Sequence, residues 1–268
     1  MALISKYPAT TTLRVFFSLL ILLVISLDAI AGGVGIVLQL QGSLSVERID
    51  GTHALLNAQS EINQGDLLIT GKNSFAGIRF ADESTLSLRP DTTLKVQDFK
   101  FTEIKPESDS AILNLIKGGL RKVSGLIGKR SQPKDILNTP IAQIGIRGTD
   151  YSLQFCKNDC RDIRTQKGMV LAEGLHVEVD KGRIILQNQA GSQLVNAGQL
   201  AYVKDEKTAP VIAAENDDKL HYPADPANIL KSNEPPSSGG GSQSSSNDIS
   251  IPIIIITLLL VFIFLLIN

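Results

Sequence analysis

Apolar and polar residues alternate with a period of two through the middle of the chain, from about residue 33 to residue 203. In residues 77–96, Ile78, Leu86 and Leu94 lie eight positions apart, and turn-forming polar residues stand between them. Side chains on one face of a strand recur every second residue, whereas those on one face of a helix recur every third or fourth. The pattern therefore predicts short strands of about four residues, separated by turns.

The glycines favour the same fold class. The chain has 22 of them, and many fall between the alternating segments, where we expect turns, as at Gly118, Gly148 and Gly182. Glycine adopts the positive φ angles that tight turns require. The sequence thus predicts an all-β domain over residues 32–210, with terminal apolar helices outside it. The domain is a short-strand β-sandwich or a solenoid-like stack, and the periodicity does not choose between them.

The first 31 residues have the three parts of a signal peptide. Lys6 and Arg14 precede thirteen uncharged residues, 15–27, and small residues surround Ala31. The apolar run is shorter than the roughly 17–20 residues that a membrane-spanning helix needs. Residues 1–31 are therefore predicted to be a signal peptide cleaved after Ala31, the alternative being an uncleaved N-terminal anchor.

The last twenty residues, 249–268, contain no charged side chain. A helix of that length extends about 30 Å, which is the thickness of the hydrocarbon core of a bilayer. We expect a C-terminal transmembrane helix in the inner membrane, with a processed sorting tail as the alternative. Residues 211–248, which end in a run rich in Gly and Ser, are predicted to be a disordered tether. The domain would then lie in the bacterial periplasm.

Composition and charge exclude several function classes. The net charge is −1, there is no Trp, and there are three His. Nucleic-acid binding usually needs a basic surplus on one face, so no nucleic-acid partner is expected. No nucleophile elbow, metalloprotease or phosphate-loop motif occurs in the sequence. We therefore predict no enzyme activity, no catalytic residue, no metal site and no cofactor.

One segment is locally basic. Arg121, Lys122, Lys129 and Arg130 occur within residues 118–134, which contain no acidic residue. A patch of this kind attracts anions. It is a candidate binding site for an acidic envelope polymer or an envelope protein, and the simpler interpretation is a solvated strand-and-loop face.

Two cysteines, Cys156 and Cys160, are separated by three polar residues. In an exported domain this spacing favours a disulfide that closes a hairpin turn. The spacing differs from Cys-x-x-Cys, so a redox motif is a weaker interpretation.

Three blocks of sequence follow one another in the predicted domain. They are residues 63–88, which include Gly-Asp-Leu-Leu-Ile-Thr-Gly; residues 115–149, which include Thr-Pro-Ile-Ala and end in Arg-Gly-Thr; and residues 169–199, which include Ala-Glu-Gly-Leu and Asn-Ala-Gly-Gln. These blocks resemble the FecR domain, the periplasmic module of ferric-citrate-type transmembrane signalling regulators. Together the resemblance covers about residues 34–203. It implies a β-rich domain that takes part in signalling.

Arg147 lies in the second block, between a strand and a predicted tight turn. One interpretation makes it an anion or partner contact; the structural interpretation has its guanidinium bonding turn carbonyls or a nearby carboxylate. The sequence departs from the family pattern at Glu83, where glycine is usual, so a different turn type is expected there. Typical full-length regulators of this family have an N-terminal cytosolic domain that binds a sigma factor. In this chain at most the first fourteen residues could be cytosolic, so we do not expect it to bind a sigma factor.

These observations predict a membrane-tethered periplasmic binding protein in cell-envelope signalling or assembly. Two alternatives stay open. One is an envelope enzyme or polysaccharide-acting protein whose site is assembled by folding. The other is a surface-assembly protein whose C-terminal tail is processed.

Overall fold

The computed structural model describes residues 32–102, 104, 106–130, 134–161, 163–215 and 219–221. The described part of the chain contains 17 strands, of which 15 join one hydrogen-bonded sheet and two form a separate pair. The prediction of a strand-rich, all-β domain is confirmed. The predicted signal peptide and the C-terminal helix lie outside the described residues. Among the described residues, no helix has the length and apolarity required to cross a membrane.

The first half of the domain contains eight strands. They are β1 Gly35–Gln41, β2 Leu44–Glu47, β3 His53–Leu56, β4 Glu61–Ile62, β5 Leu67–Thr70, β6 Phe75–Phe80, β7 Thr85–Leu88 and β8 Thr93–Lys100. The remaining strands are β9 Ser110–Val123, β10 Asp135–Asn138, β11 Gln143–Cys156, β12 Arg164–Thr165, β13 Gly174–Asn188, β14 Gly191–Asn196, β15 Gln199–Val203, β16 Val211–Glu215 and β17 Leu220–His221. A one-turn helix, α1 (Leu126–Lys129), follows β9.

Three long strands hold the sheet together, each 14 or 15 residues long: β9, β11 and β13. The first part of β9 pairs with β8 and, in parallel, with β10. Its second part pairs with β7 and β11. Likewise, β13 pairs with β15 through its first part and with β14 through its second part. The two parts of each long strand thus pair with different strands of the sheet.

Glycines lie where the long strands change partners. Gly118 in β9 has a φ of +87° and Gly148 in β11 a φ of +59°, a region that side-chain-bearing residues rarely adopt. At Gly148 the register with β13 shifts between Arg147 and Asp150, which is a bulge. The expectation that these glycines end short strands is therefore wrong. A positive-φ glycine bends the strand and lets it continue.

The core is one cluster of buried apolar side chains drawn from strands β1 to β15. Tyr151, Leu113 and Leu120, from the long strands β9 and β11, belong to it and are at most 1% exposed. The period-two spacing of the sequence places these side chains on the core side. Because β9 and β11 contribute to both halves of the sheet, they connect the packing of the two halves.

One part of β13 is buried on both faces. His176 alternates with core residues Leu175 and Val177, so the sequence predicts that its side chain points to solvent. It is instead only 7% exposed, and its ring Nε2 donates to the Ala172 carbonyl at 2.9 Å. That face is covered by a second apolar cluster, made of Cys156, Cys160, Leu171, Leu200 and Leu220. Local alternation does not reveal a covering segment from elsewhere in the chain.

The ordered structure also extends beyond the predicted domain boundary at residue 210. β16, Val211–Glu215, pairs with β15, and β17, Leu220–His221, pairs with β12. β16 thus continues the large sheet, whereas β17 belongs to the separate pair of strands. The rest of the tether, from residue 222 onward, lies outside the described residues.

Candidate functional site

Arg121, the first residue of the predicted basic patch, is neutralised by Asp150 on the neighbouring strand β11. Its Nε and one terminal nitrogen donate to the two carboxylate oxygens at 2.8 and 2.7 Å. This bidentate geometry is the strongest form of a charge-assisted hydrogen bond. Arg121 therefore contributes to pairing β9 with β11.

Lys122 points into the domain and forms an ion pair with Asp135. Both side chains are almost fully buried. The fully buried Tyr151 ring lies in the same region; its burial, and secondarily the charge of Asp135, raise the pKa of its hydroxyl far above the ordinary value. Lys122 is thus inaccessible to an external ligand, and its predicted binding role is not supported by its position.

Arg130 forms an ion pair with Asp109, and its guanidinium lies 5.0 Å from the centre of the Phe101 ring. Lys129, the last residue of α1, is exposed. The structure therefore does not bring the four predicted residues together as one basic surface. Three of them are paired with carboxylates that come from distant parts of the chain.

Arg147 has a different environment. Its side chain is exposed, and no hydrogen bond or ion pair of that side chain occurs among the described residues, so the expected bonds to turn carbonyls or a carboxylate are not observed. Its Cα partner on β13 is Arg183, which is also exposed. Like charges directly opposite each other on paired strands are destabilising by about 0.2–1 kcal/mol. The sequence analysis missed Arg183 because 36 residues separate it from Arg147.

These two arginines belong to a row of cations that crosses the sheet. Ile136 faces away from the core, and Lys134, two residues before it, is exposed directly before β10. Lys100, at the end of β8, is exposed as well. We call Lys100, Lys134, Arg147 and Arg183 the basic row. None of these four takes part in an ion pair among the described residues.

A row of aliphatic side chains lies two positions further along the same strands. Register places Ile112 of β9 beside Ile136 of β10, Ile136 beside Gly145 of β11, and Gly145 beside Ile185 of β13. Ile185 is in turn paired with Leu194 of β14. Ile185 and Leu194 are 52% and 45% exposed. We call Ile112, Ile136, Ile185 and Leu194 the apolar row.

The next row consists of side-chain amides. Asn138 donates to Asn114 at 2.9 Å, and Gln143 donates to Asn138 at 3.0 Å. Asn114 donates to Gln97 at 3.3 Å, and Gln187 lies opposite Gln143 in the register. We call these five residues the amide row. Their hydrogen bonds link strands β8 to β11 on the face opposite the core.

The three rows together form one surface, which we call the outer face. It spans six adjacent strands, in the order β8, β9, β10, β11, β13, β14. With about 4.8 Å between strands, the outer face is about 24 Å wide. Each row crosses five of the six strands and is therefore about 19 Å long, and with about 3.3 Å per residue the rows are about 7 Å apart. The outer face can therefore offer positive charge, apolar contact and hydrogen bonds side by side.

Cys156 and Cys160 form a disulfide, with their Cα atoms 5.4 Å apart. The bridge is part of the second apolar cluster, which also contains Leu171, Leu200 and Leu220. This cluster covers the second face of β11, β13 and β15. The disulfide therefore takes part in packing and does more than close a hairpin turn. The disulfide thus helps to hold the segment after β11 against the sheet.

Glu178 anchors the last described strand. Its carboxylate accepts a hydrogen bond of 2.9 Å from the Leu220 backbone N–H and lies 3.4 Å from the Lys219 ammonium group. Burial is the main cause that raises the pKa of Glu178, while the bond from Leu220 and the charge of Lys219 act in the opposite direction. Through Glu178, β17 is connected to the centre of β13.

Two shallow clefts lie on the surface, one of them at the edge of the amide row. One, of about 410 Å³, borders Gln143 and Gln187 and contains Glu206. The other, of about 440 Å³, borders Arg79 and contains Glu83. In the described part of the chain, no three His, Cys, Asp or Glu side chains are grouped so that they could hold a metal ion. Neither cleft contains the clustered carboxylates that would favour a polysaccharide-acting enzyme.

Comparison with known proteins identifies a family for the centre of the domain. Residues 66–184 match the family described as FecR protein. The match begins just before β5, ends within β13, and includes most strands of the outer face. No curated protein matches the chain.

Two solved structures are similar to the chain at low identity. Both are crystal structures of a "putative anti-sigma factor" from Parabacteroides distasonis ATCC 8503, and they are 12% and 11% identical to it. Each comparison has a TM-score of 0.43 and covers 56% of this chain and 60% of the other chain. The chain thus spans about three fifths of the length of these structures. At this TM-score the similarity carries no argument about function.

Proposed function

Because this chain carries a FecR domain over residues 66–184, as its sequence motifs predicted, we propose that it is a periplasmic binding module of a cell-envelope signalling system. The domain transmits information by contacting another envelope protein and does not transform a substrate. Residues 1–31 direct export, residues 249–268 anchor the chain in the inner membrane, and the segment between residue 222 and the anchor is the tether.

The family match supports a regulatory role, because FecR domains are modules of signalling regulators. The observation that favours binding is the outer face. It is an open surface of six strands on which four cations have no ion-pair partner among the described residues. Charge of one sign on an open surface steers and selects partners of the opposite charge.

Topology can be tested in cells that express the full chain. Protease added to spheroplasts should degrade the domain while a cytosolic marker stays intact. A chain that ends at residue 248 should move from the membrane fraction to the soluble periplasmic fraction. Protection of the domain from protease would contradict the periplasmic placement, and a mature protein that lacks residues 249–268 by mass spectrometry would support tail processing instead of an anchor.

Signalling can be tested separately. A strain that lacks the chain should show altered transcript levels for a defined set of envelope genes, and expression of the full chain should restore them. If transcripts do not change while an envelope polymer accumulates unprocessed, the signalling proposal is wrong and an enzyme is favoured. A variant with Lys72→Glu and Lys207→Glu, both exposed and outside the three rows, should restore transcripts as well as the wild type does.

A further inference from the structure

We propose that the outer face binds an acidic protein segment that carries a row of carboxylates beside a row of aliphatic side chains. This inference rests on the proposed function, since it specifies the surface and the chemistry of the partner. The carboxylates contact the basic row and the aliphatic side chains contact the apolar row. The two rows are about 7 Å apart, which lies within the width of a single helix or of two paired strands.

The charge argument starts from the basic row. Arg147 and Arg183 are direct partners across β11 and β13, and neither is within an ion pair among the described residues. Their repulsion lowers the stability of the isolated domain. Two carboxylates placed above them would remove this repulsion and could each accept paired hydrogen bonds from a guanidinium. Binding of an acidic partner therefore stabilises the basic row more than it would stabilise a scattered set of surface lysines.

The apolar row contains a notch at Gly145. This residue lies between Ile136 and Ile185 in the register, so the row of aliphatic side chains is interrupted at β11. A Cβ atom built on Gly145 would contact only the Ile185 carbonyl oxygen, at 3.8 Å. A large aliphatic side chain of the partner fits into this gap, because the side chains of Ile136 and Ile185 form its two walls.

The chemistry of the rows favours a protein over a polysaccharide. The residues of the three rows are aliphatic, basic and amide side chains, with no aromatic ring among them. A polysaccharide has no aliphatic side chains, and its sugar rings usually pack on flat aromatic side chains. The amide row instead supplies donors and acceptors at the edge of the apolar row, where polar side chains of a polypeptide can bond to them.

The test measures binding of a synthetic amphipathic peptide to the full-length chain in detergent. The peptide is helical, about 16 residues long, with leucines along one face and glutamates beside them, so that it crosses the six strands. A second peptide has every glutamate replaced by lysine. We expect saturable binding of the first peptide that weakens as salt is added, because the contacts are between exposed charges, and no binding of the second.

Variants locate the site. The double variant Arg147→Glu/Arg183→Glu should bind the acidic peptide about tenfold more weakly or worse. The matched control Lys72→Glu/Lys207→Glu, which changes the net charge equally, should bind as the wild type does. Gly145→Val fills the notch and should also weaken binding. Thermal melts of all variants show whether the fold is retained; equal loss of binding in the control would overturn the proposed site.

Two further probes separate the classes of ligand. Polygalacturonate represents an acidic polysaccharide, and vesicles that contain phosphatidylglycerol represent an anionic membrane. Suppose that one of these probes binds the wild type, that its binding is lost in Arg147→Glu/Arg183→Glu, and that the peptide does not bind. The outer face then recognises that class of ligand, and the proposal is wrong. If signalling depends on the chain but the arginine variant restores transcripts fully, the proposed function stands and this inference fails.

Discussion

Lys122 and Asp135 form an ion pair inside the domain, between β9 and the first residue of β10. The second oxygen of Asp135 and the hydroxyl of the adjacent Tyr151 have no hydrogen-bond partner among the described residues. Bringing two charges out of water is costly, and their mutual attraction repays the cost only in part. The pair therefore specifies how β10 is placed beside β9 more than it stabilises the fold.

Removing one member of this pair should be strongly destabilising. Asp135→Ala leaves the Lys122 charge buried and unpaired, so we expect a loss of about 3–5 kcal/mol in the free energy of unfolding. The double variant Lys122→Met/Asp135→Leu should recover most of the loss because no charge is then buried. Urea denaturation of both variants checks this, and a double variant as unstable as Asp135→Ala would contradict it.

The disulfide should stabilise the segment that covers β13. Closing a five-residue loop contributes about 2 kcal/mol by restricting the unfolded chain. We expect Cys156→Ala/Cys160→Ala to lose about this amount and to expose the amides of β12 and β17 to hydrogen exchange. The amides of β5 and β8, which are not in contact with the second apolar cluster, serve as the internal control. Uniform loss of protection would show that the disulfide acts on the whole domain.

Glu83 adopts a backbone conformation that favours glycine. Its φ is +67°, so the turn between β6 and β7 contains a left-handed residue other than glycine. Glu83→Gly should therefore stabilise the domain by about 1 kcal/mol, because glycine adopts this conformation without strain. Asp91, with a φ of +54°, is the matched control.

Aspartate tolerates left-handed backbone better than glutamate does. Asp91→Gly should therefore stabilise the domain less than Glu83→Gly does. Thermal melts of the two variants give the comparison, and a larger gain at Asp91 would mean that backbone strain does not set the stability at Glu83.

Stability should depend on pH through Glu178. Burial raises its pKa above the ordinary value of 4.5, so the folded state binds the proton more tightly than the unfolded state does. The stabilising contribution is full below pH 4.5 and is lost as pH rises through the folded-state pKa. Glu178→Gln keeps an acceptor for the Leu220 N–H and removes the buried charge.

We therefore expect Glu178→Gln to match the wild type near pH 4 and to exceed it at pH 7. Urea denaturation at both values checks the sign. His176, whose pKa is lowered chiefly by burial, titrates in both proteins and cancels in the difference. A Glu178→Gln protein that is less stable than the wild type at pH 7 would mean that the ion pair with Lys219 outweighs the cost of burial.

Several features followed from local patterns. The period-two spacing predicts strands because it records which face of the sheet each side chain occupies, and the core confirms it at Ile78, Leu86 and Leu94. The FecR motifs were recognised from residue types at short spacings, and the match over residues 66–184 confirms them. The cysteines close a short loop, so their proximity needs no knowledge of the fold.

Other features depended on which strands become neighbours. The basic segment looked continuous in sequence, yet Asp150, Asp135 and Asp109 arrive from other strands and loops to neutralise it. Conversely, Arg147 and Arg183 look isolated in sequence and become direct partners through the pairing of β11 with β13. Charge patterning along a chain cannot anticipate ion pairs across a sheet.

The sequence by itself determined the strand-forming pattern, the FecR-like motifs and the turn chemistry, because each of these depends on residues close together in the chain. Only the tertiary structure decided that Gly118 and Gly148 bend long strands instead of ending short ones, and that His176 is covered. It also decided the composition of the outer face. The alternation of apolar and polar residues determines which face of the strand each side chain occupies. The register between distant strands determines which side chains lie beside it.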